Sequence, residues 1–188
     1  MRRKFYSVII AALSVMLVAG ANSAQAFEEE VGPRKGAIEI GGMFSITQME
    51  SQGGGEEPEP DVTAHGTVGV FLGNKFKLGV SLLASGSGEF MTTFFALEGT
   101  LYPFKMGNKI FPYVSLLAGT QATVFTDYYG DTDTNTSSLF GLGVGVAHYL
   151  NPRVALKPEF SYHSVMPEEG DSVGQYRFQV GIAVLFGG

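Results

Sequence analysis

From about Lys35 to Phe186, apolar residues recur at every second position in runs separated by polar or glycine-rich stretches. The last run is the clearest. Gln175 to Phe186 places Tyr176, Phe178, Val180, Ile182, Val184 and Phe186 on one face and Gln175, Arg177, Gln179, Gly181, Ala183 and Leu185 on the other. A period of two, with one greasy and one mixed face, predicts a β-strand. The greasy face has an aromatic ring near each end, about ten residues apart, which suits a strand crossing a hydrocarbon layer with rings at both interfaces.

Seven earlier runs share the pattern. The first, about Gly36 to Thr47, sets Ile38, Ile40, Phe44 and Ile46 against Glu39, Met43, Ser45 and Thr47. The second, about Val62 to Leu72, sets Val68, Val70 and Leu72 against Thr63, His65, Thr67 and Phe71, and the third starts at once with Phe76, Leu78, Val80 and Leu82. The fourth, about Phe90 to Pro103, sets Phe95, Leu97 and Leu101 against Thr92, Glu98 and Tyr102. The fifth covers about Phe111 to Phe125, and in the sixth Phe140, Leu142, Val144 and Val146 oppose Gly141, Gly143 and Gly145. The seventh, about Arg153 to Val165, sets Val154, Leu156, Phe160 and Tyr162 against Lys157, Glu159, Ser161 and His163.

The breaks alternate in kind. Gln48–Asp61, Ser85–Glu89, Asp127–Ser138 and Pro167–Asp171 read as polar loops, whereas Gly73–Lys75, Lys105–Lys109 and Asn151-Pro152 read as short turns. An all-β, eight-stranded antiparallel up-and-down transmembrane β-barrel follows, with both chain ends on one side. Charge separates along the same line. The loops carry Glu50, Glu56, Glu57, Glu59, Asp61, Glu89, Asp127, Asp131, Asp133, Glu168, Glu169 and Asp171 and no base, while the turns carry Lys75, Lys105, Lys109 and Arg153 and no acid. Two rims facing two compartments are expected, acidic loops outside and basic turns in the periplasm. Exposed carboxylates of that density could hold divalent cations that bridge to lipopolysaccharide phosphates.

Met1 to Ala26 has Arg2, Arg3 and Lys4, then an apolar run, then Ala24-Gln25-Ala26, the design of a cleavable signal peptide. Residues 27–34 read as a short solvated lead-in and 35–188 as the barrel domain. Removal of the peptide leaves 162 residues (188 less 26), with nine Lys and Arg against 18 Asp and Glu, a charge near −9. That balance excludes a nucleic-acid footprint. The chain has no cysteine, its three histidines are scattered, and no cofactor or structural metal is expected. No later apolar run is long enough for a membrane helix, so a membrane span here requires a closed barrel.

An eight-stranded barrel is narrow enough to be filled by its own side chains. The alternation aims Glu39, Glu98, Lys157, Glu159 and Arg177 inward, and buried charges need partners. A polar plug is expected in which Arg177 and Lys157 are shared among Glu39, Glu98 and Glu159. Such a network either replaces an apolar core or forms a gated ion path.

Three other chemistries match the residues only in part. Asp131-Thr132-Asp133-Thr134-Asn135 begins as a calcium loop does, but Thr136 stands where Gly is needed and Leu142 where a bidentate Glu is needed. His163-Ser164 with Glu159 suggests a lipid A-modifying hydrolase, yet adjacent strand residues point to opposite faces. A soluble ligand barrel would need the greasy face inside and a solvated outer face, and the face opposite the greasy one is rich in Gly, Ala, Ser and Thr with few charges.

The terminal run resembles the assembly signal of bacterial outer-membrane β-barrel proteins at Gln179, Gly181, Val184 and Phe186, departing from it where Gly187 and Gly188 follow the final Phe. With the segment from Phe140 to Tyr162, it makes nearly the whole mature chain similar to the small eight-stranded outer-membrane proteins of the OmpA transmembrane domain, OmpX and Ail type. The resemblance implies insertion by the barrel assembly machinery, contact with outer-membrane lipid and lipopolysaccharide, and a monomer. The function expected is a non-enzymatic envelope protein with a plugged lumen, serving envelope integrity or surface interaction. A small porin or a channel for ions or small hydrophobic molecules is the alternative.

Overall fold

The computed structural model describes residues 31–47, 61–87, 90–126, 132–167 and 172–187. The expected signal peptide and most of the polar-loop residues lie outside the described residues. Eight strands follow in order: β1 (Ile38–Thr47), β2 (Asp61–Phe71), β3 (Phe76–Ser87), β4 (Phe90–Leu101), β5 (Ile110–Thr126), β6 (Thr132–Tyr149), β7 (Val154–Pro167) and β8 (Val173–Phe186). Each pairs antiparallel with the next, and β8 returns to β1, so the sheet is a closed barrel. The closing ladder is short, running from Ile38↔Phe186 to Phe44↔Val180.

The faces divide as the alternation predicts. Leu97, Leu116 and Phe178 are 60%, 62% and 64% exposed on the outside, whereas Glu39, Lys77 and Glu98 are no more than 5% exposed inside. A soluble ligand barrel has the reverse arrangement, so that reading is overturned. Val184 departs from its outward series and is buried. Rings gather near the outer-loop end of the lipid face, where Tyr176 lies 5.0 Å from Tyr162 and 6.0 Å from Phe160 between centroids.

Two expected loops are shorter than the sequence suggested. The stretch Asp127–Ser138 is mostly strand, because β5 continues to Thr126 and β6 begins at Thr132, paired through Thr126↔Thr132. Residues 133–136 are exposed on both faces. A hairpin wetted on both sides needs no apolar alternation, and its β-branched threonines favour the extended backbone. Asp133 and Asn135 therefore oppose Phe125 and Thr123 in a ladder rather than curling round a cation. Likewise β3 reaches Ser87, inside the predicted Ser85–Glu89 loop.

At the other end the turns are tight. Gly107 takes a positive φ of 65° in the β4–β5 connection, which suits a residue without a Cβ. Asn151 Oδ1 accepts from the backbone N–H groups of Arg153 and Val154, both at 2.8 Å, and fixes the β6–β7 turn. Asn151→Ala should lower the unfolding free energy by about 1 kcal/mol, checked by urea titration in lipid vesicles, because two bonded donors are returned to water.

The lead-in is not simply solvated. Val31 packs against a buried cluster that includes Phe71, Tyr102, Phe111, Tyr149 and Leu185. Gly36 N–H donates to Phe71 C=O at 2.8 Å and Lys35 N–H to Asn74 Oδ1 at 3.1 Å. Apolar side chains and the N-terminal segment thus close the barrel mouth at the short-turn end.

Candidate functional site

The interior above that mouth holds a layer of buried charges. Lys77 Nζ lies 2.7 Å from Glu39 Oε1 and 3.0 Å from Glu98 Oε1, and Lys157 Nζ lies 3.0 Å from the same Glu39 oxygen. Ser81 Oγ and Thr100 Oγ1 donate to the two oxygens of Glu98, and Tyr102 OH donates to Glu39 Oε2 at 3.4 Å. The Lys157 ammonium also stands 4.6 Å from the Tyr113 ring centroid, where the ring's negative face attracts it. Each charge therefore has several partners, the condition for keeping ions out of water.

The register explains the assembly. Glu39 pairs with Gly69, Gly69 with Gly79, and Gly79 with Glu98, so two glycines separate the acids along one line of the sheet. Lys77 projects into that space, its Cγ and Cδ 3.0 Å from where a Cβ on Gly69 would sit. From the opposite wall Lys157 arrives on β7, whose neighbour β8 is itself paired with β1.

Above this layer Glu159 accepts from Gln179 Nε2 at 2.8 Å, and Arg177 Nη2 donates to Gln175 Oε1 at 2.7 Å. The glycines of β6 leave room here, since a Cβ on Gly143 would come within 2.9 Å of Glu159 Oε1. Small positions facing large ones are how a narrow barrel fills its interior. Higher still, the rings of His65 and His163 meet Phe94 edge-on at 5.8 and 5.9 Å, beside a buried cluster with Leu83, Leu117, Leu139 and Val165. His148, by contrast, is exposed.

Of the five charges expected inside, Glu39, Glu98 and Lys157 come together in one network, and Glu159 and Arg177 lie nearby with the amide partners just named. Sequence reasoning missed Lys77, the residue that joins Glu39 to Glu98. Two signals pointed to it. Phe76 faces outward, so its neighbour must face inward. Three acids against Lys157 and Arg177 also left the interior one positive charge short, and Lys77 makes the count three against three.

The residues of the terminal motif sit at the closing seam. Gly181 opposes Met43 and Lys157, Val184 opposes Ile40, Phe186 opposes Ile38, and Gln179 points inward to Glu159. Ser164 is on the face opposite His163, and among the described residues no group of three His, Asp or Glu is placed to hold a metal. Ser161 shares the inner face with His163, and its buried Oγ has no hydrogen-bond partner.

The family model described as outer membrane protein beta-barrel domain matches residues 10–186. Solved structures share the fold at low identity. The N-terminal β-barrel domain of Pseudomonas aeruginosa OprF matches with a TM-score of 0.59 at 17% identity, over 81% of this chain and 98% of that one. Neisserial surface protein A matches at 0.62 and 14% identity, over 80% and 96%. Ail of Yersinia pestis, in complex with the heparin analogue sucrose octasulfate, matches at 0.55 and 12% identity, over 81% and 99%. No curated protein matches the sequence.

Proposed function

The chain belongs to the outer-membrane protein β-barrel family, and from that premise we propose that it is a non-enzymatic envelope protein whose lumen is sealed and whose contacts are made at its rims. Its place is the bacterial outer membrane. The observation that carries the reading is the Glu39–Lys77–Glu98–Lys157 layer, buried between an apolar mouth on one side and the Phe94 cluster on the other. Ions or solutes crossing the barrel would have to displace both apolar layers and separate charges that are desolvated together.

On this reading the long acidic loops face outward and the basic turns the periplasm. The sign of those loops favours divalent cations shared with lipopolysaccharide and disfavours a polyanion such as the heparin analogue held by Ail. Gln179, Gly181, Val184 and Phe186 serve as the assembly signal for the insertion machinery, the first 26 residues as the export signal, and the finished barrel is a monomer.

A second reading is favoured by one detail. Lys77 already bridges two carboxylates, so a change of partner could turn the layer into a gate for ions. Planar bilayers decide between the two. The folded protein should migrate as a heat-modifiable band and give little or no current, whereas steady discrete conductance would replace the sealed barrel with a channel.

A further inference from the structure

After the expected signal peptide the sequence contains nine Lys and Arg, and all nine lie among the described residues. Three are inside the barrel: Lys77, Lys157 and Arg177. The remaining six, Arg34, Lys35, Lys75, Lys105, Lys109 and Arg153, all stand at the short-turn end, on the segment before β1 and on the β2–β3, β4–β5 and β6–β7 connections. None is on the lipid face or at the outer-loop end. Among the described residues that rim carries no acid, since Glu39, Glu98 and Glu159 are in the lumen and Asp61 and Asp133 are at the opposite end.

The ring is held on ordered backbone. The carbonyls of Lys75, Lys109 and Arg153 accept from the N–H groups of Tyr102, Tyr149 and Leu185, at 2.7, 2.8 and 2.7 Å. Each turn is thereby tied to the next strand pair, which fixes the charges around the rim. Between them stand apolar side chains. Leu72, Phe104, Met106 and Leu150, on the same connections, are each more than half exposed. They adjoin the lipid-facing residues Phe76, Leu101 and Ile110 at the strand ends.

We propose that this rim is a docking surface for anionic phospholipid, with the lysines on the headgroup phosphates and Leu72, Phe104, Met106 and Leu150 against the upper acyl chains. Alternating bases and apolar groups at the edge of a hydrocarbon belt fit an amphiphile, because long basic side chains carry their charge to the headgroup while their stems and neighbours stay in the apolar zone. A soluble polyanion would use the charges and leave the apolar groups in water. A zwitterionic lipid would gain little from six like charges. Each lysine near an anionic surface contributes on the order of 1 kcal/mol, so several acting together give a marked lipid preference.

The test uses protein purified folded from outer membranes, mixed in detergent with phosphatidylglycerol or phosphatidylethanolamine and examined by native mass spectrometry. The variant is Lys35→Gln/Lys75→Gln/Lys109→Gln, three exposed residues whose loss should leave the heat-modifiable band intact. Lys105 is kept because its ammonium lies 5.4 Å from the Phe111 ring at the closed mouth. The protein should retain phosphatidylglycerol in preference to phosphatidylethanolamine, the triple variant should lose roughly 100-fold in that affinity, and high salt should weaken it. Equal retention of both lipids, or an undiminished preference in the variant, would overturn the proposal. So would full displacement of the lipid by inorganic phosphate, which would make the rim a free-anion site, or co-sedimentation with peptidoglycan that the variant alone loses. Phosphatidylglycerol binding that appears only after Glu28→Gln/Glu29→Gln/Glu30→Gln would assign the rim to the chain's own glutamates instead.

Discussion

Lys77→Met should lower the unfolding free energy of the barrel by about 3–5 kcal/mol, the cost of leaving a buried charge without its partner. The two carboxylates do not lose equally. Glu39 keeps Lys157 at 3.0 Å, whereas Glu98 loses its salt bridge and keeps the hydroxyls of Ser81 and Thr100 and the more distant charge of Lys157. The burden therefore falls on Glu98, and Lys77→Met/Glu98→Gln should recover much of the loss even though it removes a further native group. The measurement is urea unfolding of the folded protein in lipid vesicles, with Lys75→Gln as a control two residues away on the exposed turn. A change below about 0.5 kcal/mol for Lys77→Met, the range of ordinary surface substitutions, would mean that the layer does not hold the barrel together. Failure of the second substitution to restore stability would show instead that the loss does not lie in an unpaired Glu98.

Gly181→Val is expected to cost about 3 kcal/mol, the upper part of the range for overpacking, and to cut the yield of closed barrel. A Cβ there would run into Gly42 C=O and Met43 Cγ and stand 2.9 Å from Met43 Cα, so backbone as well as side chain would have to move. The strain would fall on the ladder that closes the barrel, which spans only Ile38↔Phe186 to Phe44↔Val180. Gly181 is also part of the motif proposed for recognition by the insertion machinery, and the two roles separate experimentally. A packing role gives a defect on refolding into vesicles with no other protein present, relieved in part by Met43→Ala. A role in recognition alone leaves refolding normal and reduces the folded band only in cells.

The lipid-crossing parts of the strands were legible because their two faces meet different media. Where hydrocarbon lies on one side and a polar interior on the other, selection of side chains alternates, and Ile38, Ile40, Glu39 and Met43 read as clearly in the sequence as in the barrel. The same reasoning failed for Thr132–Ser138. Residues 133–136 are exposed on both faces, so the ladder that pairs Thr136 with Ala122 leaves no alternation to detect there. The packing of Val31 is silent in the sequence for a related reason, since a single apolar residue makes no period, and only the cluster at the mouth shows what it covers.

The sequence alone determined the fold class, the strand count and the inward side for Glu39, Glu98, Lys157, Glu159 and Arg177, because a period of two is a local property and charge segregation needs no coordinates. It determined too that the two rims differ in sign. The partnerships were decided by the tertiary structure. Lys77, Glu98 and Glu39 belong to three strands, and only the register through Gly69 and Gly79 brings the Lys77 ammonium within 3.0 Å of both carboxylates, whereas Arg177 bonds Gln175 on its own strand. The physical reason is that pairing of buried charges depends on the stagger at which a barrel closes, a relation between distant strands that no local pattern encodes.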